Sequence, residues 1–248
     1  MLLVDIGNTR LKWRLHKLDA NGQPTTTVQQ RGSIATKELS TPALTKAMPA
    51  NAKTLCFASV ADKNINALLV AWAAKQQLNY QQVQTQQQWQ DLTNAYADVT
   101  RMGVDRWLVM VAVRQLNQAA ICVIDCGSAT TVDFIAANGQ HEGGYIIPGQ
   151  RLMVQSLISD TAQIDFLDQE AQLQNGGYGI NTAGAVIQGS KNLHQAGINA
   201  IAEQALRAGY KVYATGGDGK FLAQNQAINY IEELVLDGLW ASLYDEFC

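Results

Sequence analysis

Four cysteines in a chain of 248 residues make no disulfide framework, and no Cys-x-x-Cys pair is present to seed a zinc site. Cys122 and Cys126 fall four apart in one strand-like run, too far apart to bond to each other. The expected state is four reduced thiols in a reducing compartment. The three histidines, His16, His141 and His194, have no metal-ligand spacing. Positive charge is not in excess: 18 Lys and Arg stand against 21 Asp and Glu, for a net charge of −3. There is therefore no basic field to gather nucleic acid or anionic lipid. A phosphate ligand would have to be held by local N–H groups and a metal. No apolar run approaches the roughly 18 residues of a membrane span. No leader peptide is expected either, because the opening strand is interrupted by Asp5, and the expected location is cytoplasmic. No Gly-x-Ser-x-Gly elbow exists. Gly184-x4-Gly189-Ser190-Lys191 reverses the Lys-Ser order of a nucleotide P-loop and lacks the strand before it.

What the chain does have is a phrase said twice. Residues 3–9 read Leu-Val-Asp-Ile-Gly-Asn-Thr, and residues 123–131 read Val-Ile-Asp-Cys-Gly-Ser-Ala-Thr-Thr. Asp5 aligns with Asp125 and Gly7 with Gly127, about half the chain apart. Each phrase is an apolar strand ending in a carboxylate, then a glycine, then small hydroxyl or amide side chains. Two halves that grip one phosphate-bearing ligand need this pattern.

The rest of the pattern repeats as well. Strands are expected at Met1–Ile6, Leu11–His16 and Thr25–Gln29, with Asn21-Gly22 as a turn. Thr36–Met48 reads as a helix broken by Pro42, Thr54–Val60 as a buried strand, and Asn64–Leu78 as a helix. Residues 76–90 are Gln-rich and read as exposed surface. Asp105–Leu116 reads as a helix with Trp107, Leu108, Val111 and Ala112 facing inward. The second half offers strands at Ile121–Asp125, Thr131–Ala136 and Gly143–Ile147, a helix from Arg151, and a long helical stretch over 181–207. Gly184, Gly189 and Gly197 weaken that stretch. A strand at Lys211–Ala214 and a closing helix at Ile231–Phe247 complete it. Three strands, a helix, a strand and a helix, done twice, imply an α/β fold of two similar lobes. No Pro- or Ser-rich linker separates them. The expected division is residues 1–112 and 113–248.

Four constellations carry chemistry. In Asp5-x-Gly-Asn-Thr-x-x-Lys12, a turn presents N–H groups, Asn8, Thr9 and the Lys12 ammonium to one spot, which suits an anion. Asp5 can orient Mg²⁺ through water. In Asp125-Cys-Gly-Ser-Ala-Thr-Thr-x-Asp133, Ser128, Thr130 and Thr131 can donate to phosphate oxygens, and Asp125 can hold a cation. Gly103-Val-Asp105-Arg106 opens a helix. It reads either as an N-terminal carboxylate with its ion-pairing Arg, or as a base beside a carboxylate-binding Arg. Thr215-Gly216-Gly217-Asp218 follows a strand, where two glycines let backbone approach a flat ligand.

Together with Gly143-Gly-x-Ile-x-Pro-Gly149, these motifs occur in the order seen in type III pantothenate kinases, and the resemblance runs through nearly the whole chain. That family belongs to the superfamily of acetate and sugar kinases, actin and heat-shock chaperones. The resemblance implies duplicated ribonuclease H-like (actin-like ATPase) lobes with ATP in the cleft between them. It implies that Asp5, Ile6, Gly7, Asn8, Thr9, Arg10, Leu11 and Lys12 form the first phosphate loop for ATP. Ser128, where the family usually has Thr, would also contact ATP. Asp125 would bind a monovalent cation, K⁺ or NH₄⁺, and Mg²⁺ would accompany ATP. Asp105 resembles the general base that takes a proton from the pantothenate hydroxyl. Tyr96, Gly103, Val104, Arg106 and Thr182 resemble pantothenate contacts, Thr182 at a dimer interface. Val104 stands where Ala is common. The implied activity is ATP-dependent phosphorylation of pantothenate by a cytoplasmic homodimer, with no nucleic-acid or membrane partner. Two other readings compete: another small-molecule kinase of the superfamily, such as a hexosamine kinase, and a nucleotide-binding regulatory protein without a small-molecule substrate.

Overall fold

A computed structural model describes residues 1–160 and 177–244. The first elements are β1 (Leu2–Ile6), β2 (Arg10–Leu18), β3 (Pro24–Ala35), α1 (Thr41–Ala47), β4 (Thr54–Ser59), α2 (Lys63–Lys75) and β5 (Asn79–Gln82). A two-stranded ribbon, β6 (Gln88–Trp89) and β7 (Leu92–Thr93), leads to α3 (Val104–Leu116). Then come β8 (Ile121–Cys126), β9 (Ala129–Ile135), β10 (His141–Pro148), α4 (Gln150–Asp160), α5 (Thr182–Arg207), β11 (Lys211–Thr215), β12 (Ile228–Tyr230) and α6 (Leu234–Tyr244). The chain forms two compact units. Unit 1 holds Met1–Gln118, Ala137–His141 and the chain from residue 233; unit 2 holds Ala119–Ala136 and Glu142–Glu232.

Each unit is built on a five-stranded sheet, and the two sheets have the same topology. Unit 1 runs β3-β2-β1-β4-β5 and unit 2 runs β10-β9-β8-β11-β12. In the first, β1 is antiparallel to β2 and parallel to β4, which is parallel to β5. In the second, β8 is antiparallel to β9 and parallel to β11, which is parallel to β12. A meander followed by helical crossovers is the ribonuclease H-like lobe, and it is present twice.

The central strands owe their place to apolar runs. Leu2, Leu3, Val4 and Ile6 are fully buried, as are Ile121, Cys122 and Ile124, so β1 and β8 are covered on both faces. On β2, Leu11, Trp13 and Leu15 are buried and alternate with half-exposed Lys12 and Arg14.

Local differences from expectation have local causes. Pro42 does not break a helix; it opens one. The Ser40 hydroxyl accepts from the Ala43 N–H, and Pro42 lies in the first turn, where a missing N–H costs nothing. Thr36–Glu38 is a separate 3-10 turn. Inside the Gln-rich stretch, Asn79–Gln82 is an exposed strand laddered to β4, while Val83 and Trp89 are buried anchors. An edge strand tolerates polar side chains on both faces. Residues 182–207 form one unbroken helix despite its glycines. Ile228–Tyr230 is a short edge strand, so the last helix starts at Leu234. Its expected extension to Phe247 lies outside the described residues, as does Cys248.

Helix α6 packs on α3 within unit 1. Gly238 lies so close to the Leu108 carbonyl that no Cβ fits between them. Arg14 ties β2 to the same helix through Glu233, at 2.8 Å, and Asp237. Cys56, Cys122 and Cys126 are free and buried. Burial pushes the Cys56 thiol up to about 11 and the other two up to about 12, which leaves them unreactive. Among the described residues, no helix is long and apolar enough to cross a membrane.

Candidate active site

In unit 1, Asp5 sits across from Lys12 in the β1–β2 register. The turn between them is closed by the Gly7 N–H donating to the Arg10 carbonyl at 3.0 Å. It is buttressed by Thr36, whose hydroxyl donates to the Gly7 carbonyl at 2.9 Å and whose N–H donates to the Thr9 carbonyl. Asn8, Thr9 and Arg10 are exposed, and Arg10 reaches Ser33 at 2.5 Å. Ile6 and Leu11 are fully buried, so they can offer a ligand only their backbone.

Helix α3 begins at the same end of that sheet. The Val60 N–H donates to the Ile6 carbonyl at 3.0 Å, and Val60 Cγ1 lies 3.7 Å from where a Gly103 Cβ would be. Gly103 is the helix N-cap and has no cap side chain. The Asp105 carboxylate occupies that space instead: its Oδ1 would overlap a Cβ at 103, and it accepts from the Arg106 N–H at 2.8 Å. This carboxylate is half-buried at the N-terminal end of a helix, where the macrodipole favours a negative charge. Val104 is buried. Arg106 is buried too; its Nη1 donates to the Tyr96 hydroxyl at 3.0 Å and its Cζ stands 5.8 Å from the Tyr96 ring centre. Asp105, Arg106, Gly103 and Tyr96 are thus one cluster, next to the Asp5–Lys12 hairpin. It holds a carboxylate and, beside it, a fixed planar cation of a geometry suited to a carboxylate.

In unit 2, Asp125 is the next-to-last residue of β8, opposite Thr131 on β9 and Thr215 on β11. Glycines clear the backbone around it. Gly216, at φ +85°, would place a Cβ 2.6 Å from Asp125 Oδ1. Gly149 donates to the Ser128 carbonyl at 3.1 Å, and a Cβ there would lie 2.5 Å from that oxygen. The Tyr230 hydroxyl fixes the Gly216 carbonyl at 2.9 Å. Gly217 borders open space. The Thr-Gly-Gly motif therefore first makes room for a carboxylate. Thr130 is a correction: its hydroxyl is fully buried, 2.8 Å from His194 Nε2, and does not face a phosphate. The spacing placed it beside Ser128, but strand alternation turns it into the core. Burial lowers the His194 pKa, with Asp218 pulling the other way.

Thr182 lies in unit 2, at the first turn of α5, which Asn181 caps by accepting from the Gly184 N–H at 2.7 Å. It lines an apolar cavity of about 1360 Å³ between α4 and α5, with Leu152, Met153, Val186 and Leu193. The sequence reading missed His141, which is buried beside Tyr96. Metal spacing was the only signal it could be tested against, and that signal is absent.

Two ribonuclease H-like lobes, each ending its first strand in Asp-x-Gly, define the actin-like ATPase class that includes small-molecule kinases. Solved structures agree on the fold. A candidate Baf family transcriptional activator from Campylobacter jejuni superposes with a TM-score of 0.60 at 19% identity, covering 99% of this chain and 98% of its own. A candidate 2-dehydro-3-deoxygalactonokinase from Sinorhizobium meliloti gives 0.55 at 14% identity, covering 99% and 96%. The sequence model of type III pantothenate kinases matches residues 1–204. The type III pantothenate kinase of Marinobacter nauticus is 37% identical over 255 aligned residues, 96% of each chain. The chain belongs to the type III pantothenate kinase family.

Proposed function

We infer that this protein transfers the γ-phosphoryl group of ATP to pantothenate, giving 4'-phosphopantothenate, the first step of coenzyme A biosynthesis. The observation that carries the reading is the cluster at the start of α3: an ionisable carboxylate beside a buried guanidinium held on a tyrosine. Pantothenate has a carboxylate and a primary hydroxyl. Arg106 and Tyr96 anchor the carboxylate; Tyr96 accepts from Arg106 and has its own proton left to donate. Gly103 and Val104 shape the backbone around the substrate, and Thr182 supplies a further contact. Asp105 takes the hydroxyl proton as the new O–P bond forms and the β–γ bridge breaks to release ADP. The Asp5–Lys12 hairpin, with Gly7, Asn8, Thr9 and Lys12, holds ATP phosphates, and Ser128 is a further ATP contact.

The family implies ATP with a divalent metal. The carboxylates fit cations: Asp125 lies in space that a Cβ at Gly216 would fill, and Asp5 is likewise the next-to-last residue of its strand. Asp5 would hold Mg²⁺ through water, and Asp125 would hold K⁺ or NH₄⁺. When bound, these cations neutralise charge on the transferring phosphoryl group. The protein works in the cytoplasm, and nothing in its net charge of −3 suits nucleic acid.

The test is a coupled assay of ADP release with and without pantothenate, repeated in K⁺, NH₄⁺ and Na⁺ buffers. Pantothenate-dependent release, faster in K⁺ or NH₄⁺ than in Na⁺, is the expected result. No response to pantothenate would overturn the reaction and turn attention to hexosamines. Equal rates in all three salts would remove the role of Asp125.

The protein acts as a homodimer. On unit 2, Tyr178 and Ile180 are 96% and 91% exposed beside the α4–α5 cavity, and a Cβ at Gly189 or Gly197 would meet nothing within 4 Å. An apolar face of this kind suits a second copy. Light scattering at micromolar concentration should give twice the chain mass; a monomer mass refutes it.

A further inference from the structure

His141 starts β10 but belongs to unit 1, together with the turn that leads into it. That turn is held by contacts within unit 1. The Thr93 N–H donates to the Gly139 carbonyl at 3.0 Å, and Arg114 donates to the Ala137 carbonyl at 2.9 Å. Gly139, at φ +85°, lies too close to the Asp91 carbonyl for any Cβ. Arg114 is itself held by Asp91 at 2.5 Å. The outcome is a fixed imidazole, 1% exposed, lying 17° from parallel with the Tyr96 ring at a centroid distance of 6.4 Å. Its Nδ1 accepts from the Ala95 N–H at 3.4 Å.

Three planar groups follow one another: His141, the Tyr96 phenol, and the Arg106 guanidinium bonded to that phenol. Tyr96 is the half-buried middle member. Asn94 fixes its backbone by accepting its N–H at 2.9 Å. The ring itself needs a wall, and offset stacking on a buried imidazole supplies one.

We propose that His141 is a positioning residue for the acceptor carboxylate. It sets the Tyr96 ring and, through it, the fork of Arg106, and it touches no substrate. The proposal rests on the pantothenate reading and names which part of the protein fixes the acceptor side of that site. Removing the imidazole frees the Tyr96 ring to tilt, so the carboxylate meets a looser pair of donors, while the ATP hairpin on β1–β2 is untouched.

The experiment measures kcat and both KM values for wild type, His141→Ala and His141→Phe, with melting temperatures alongside. In His141→Ala, the pantothenate KM should rise about three- to tenfold, with kcat and the ATP KM within about twofold. His141→Phe keeps a ring against Tyr96 and should recover most of the loss. Should the Ala variant not fold, His141→Gln replaces it, since it keeps an acceptor for the Ala95 N–H and lacks the ring. An unchanged pantothenate KM overturns the proposal. So do equal defects in the ring and ringless variants, or both KM values rising together. If wild type turns over no pantothenate, the functional reading fails and takes this proposal with it. If wild type turns it over and the variants do not separate, only this proposal fails.

Discussion

Asp105→Asn should lower kcat for pantothenate phosphorylation by about 10²–10⁴-fold, with the KM values for ATP and pantothenate within a few-fold of wild type. The substitution keeps size and shape. The amide oxygen can still accept the Arg106 N–H that Oδ1 accepts at 2.8 Å, so the start of α3 keeps its geometry. What the amide lacks is the capacity to take a proton from the attacking hydroxyl. It also loses the favourable placement of an anion at a helix N-terminus, worth about 0.3–1 kcal/mol, so the melting temperature should move by only a few degrees. Stopped or steady-state turnover combined with a melting curve separates the two effects. Near-normal turnover in a folded variant would show that Asp105 is only a helix-start carboxylate, the plainer meaning its position also allows.

Much of this fold was legible because burial writes itself into sequence. Val4 and Ile6 on β1, and Cys122 and Ile124 on β8, form apolar runs that only a doubly covered strand explains, and the aligned Asp5 and Asp125 mark where both end. From those two anchors the duplicated sheet order follows. Other parts depend on partners far away in the chain. Helix α3 was read as having one inward face, yet Val104 and every residue from Arg106 to Arg114 is buried. A helix covered all round needs a second layer, and α6, more than a hundred residues later, provides it. Arg114, near the end of α3, is 1% exposed, paired with Asp91 and holding the Ala137 carbonyl, and both partners lie more than twenty residues away in the chain. The strand at Asn79–Gln82 carries no hydrophobic period, because an edge strand exposed on both faces has none to show. The site divides in the same way. Asp105, Arg106 and Gly103 are neighbours in sequence, so their spacing marked one cluster, with a helix-start carboxylate and a base both left open. Tyr96 joins Arg106, and His141 joins Tyr96, only through tertiary contacts. Resemblance to a family supplied Tyr96, and nothing in the sequence supplied His141.

Arg106→Ala should raise the pantothenate KM by about 10²–10³-fold and leave the ATP KM nearly unchanged. A buried guanidinium that forms charge-assisted hydrogen bonds to a carboxylate is worth about 2–5 kcal/mol when truncated, and each 1.4 kcal/mol is tenfold. Arg106 is 5% exposed and its fork is already set by Tyr96 at 3.0 Å, so little of that energy is spent on ordering it. Arg106→Lys keeps the charge and loses the planar fork, so it should recover only part of the loss. The hairpin proposed to hold ATP, with Asn8, Thr9 and Lys12 on β1–β2, is a different element from the α3 helix that carries Arg106. A change confined to one KM therefore distinguishes a lost anchor from a damaged fold. The alcohol analogue of pantothenate, which has no carboxylate, sharpens the test. Wild type should handle it poorly, and Arg106→Ala should handle it about as well as wild type does, because neither then has an ion pair to form. If the variant remains far worse than wild type on the alcohol, Arg106 is supporting α3 and not binding the acid. Equal KM values for the acid in wild type and variant would place the carboxylate elsewhere, and the acceptor would have to be sought among substrates whose negative end does not meet this helix.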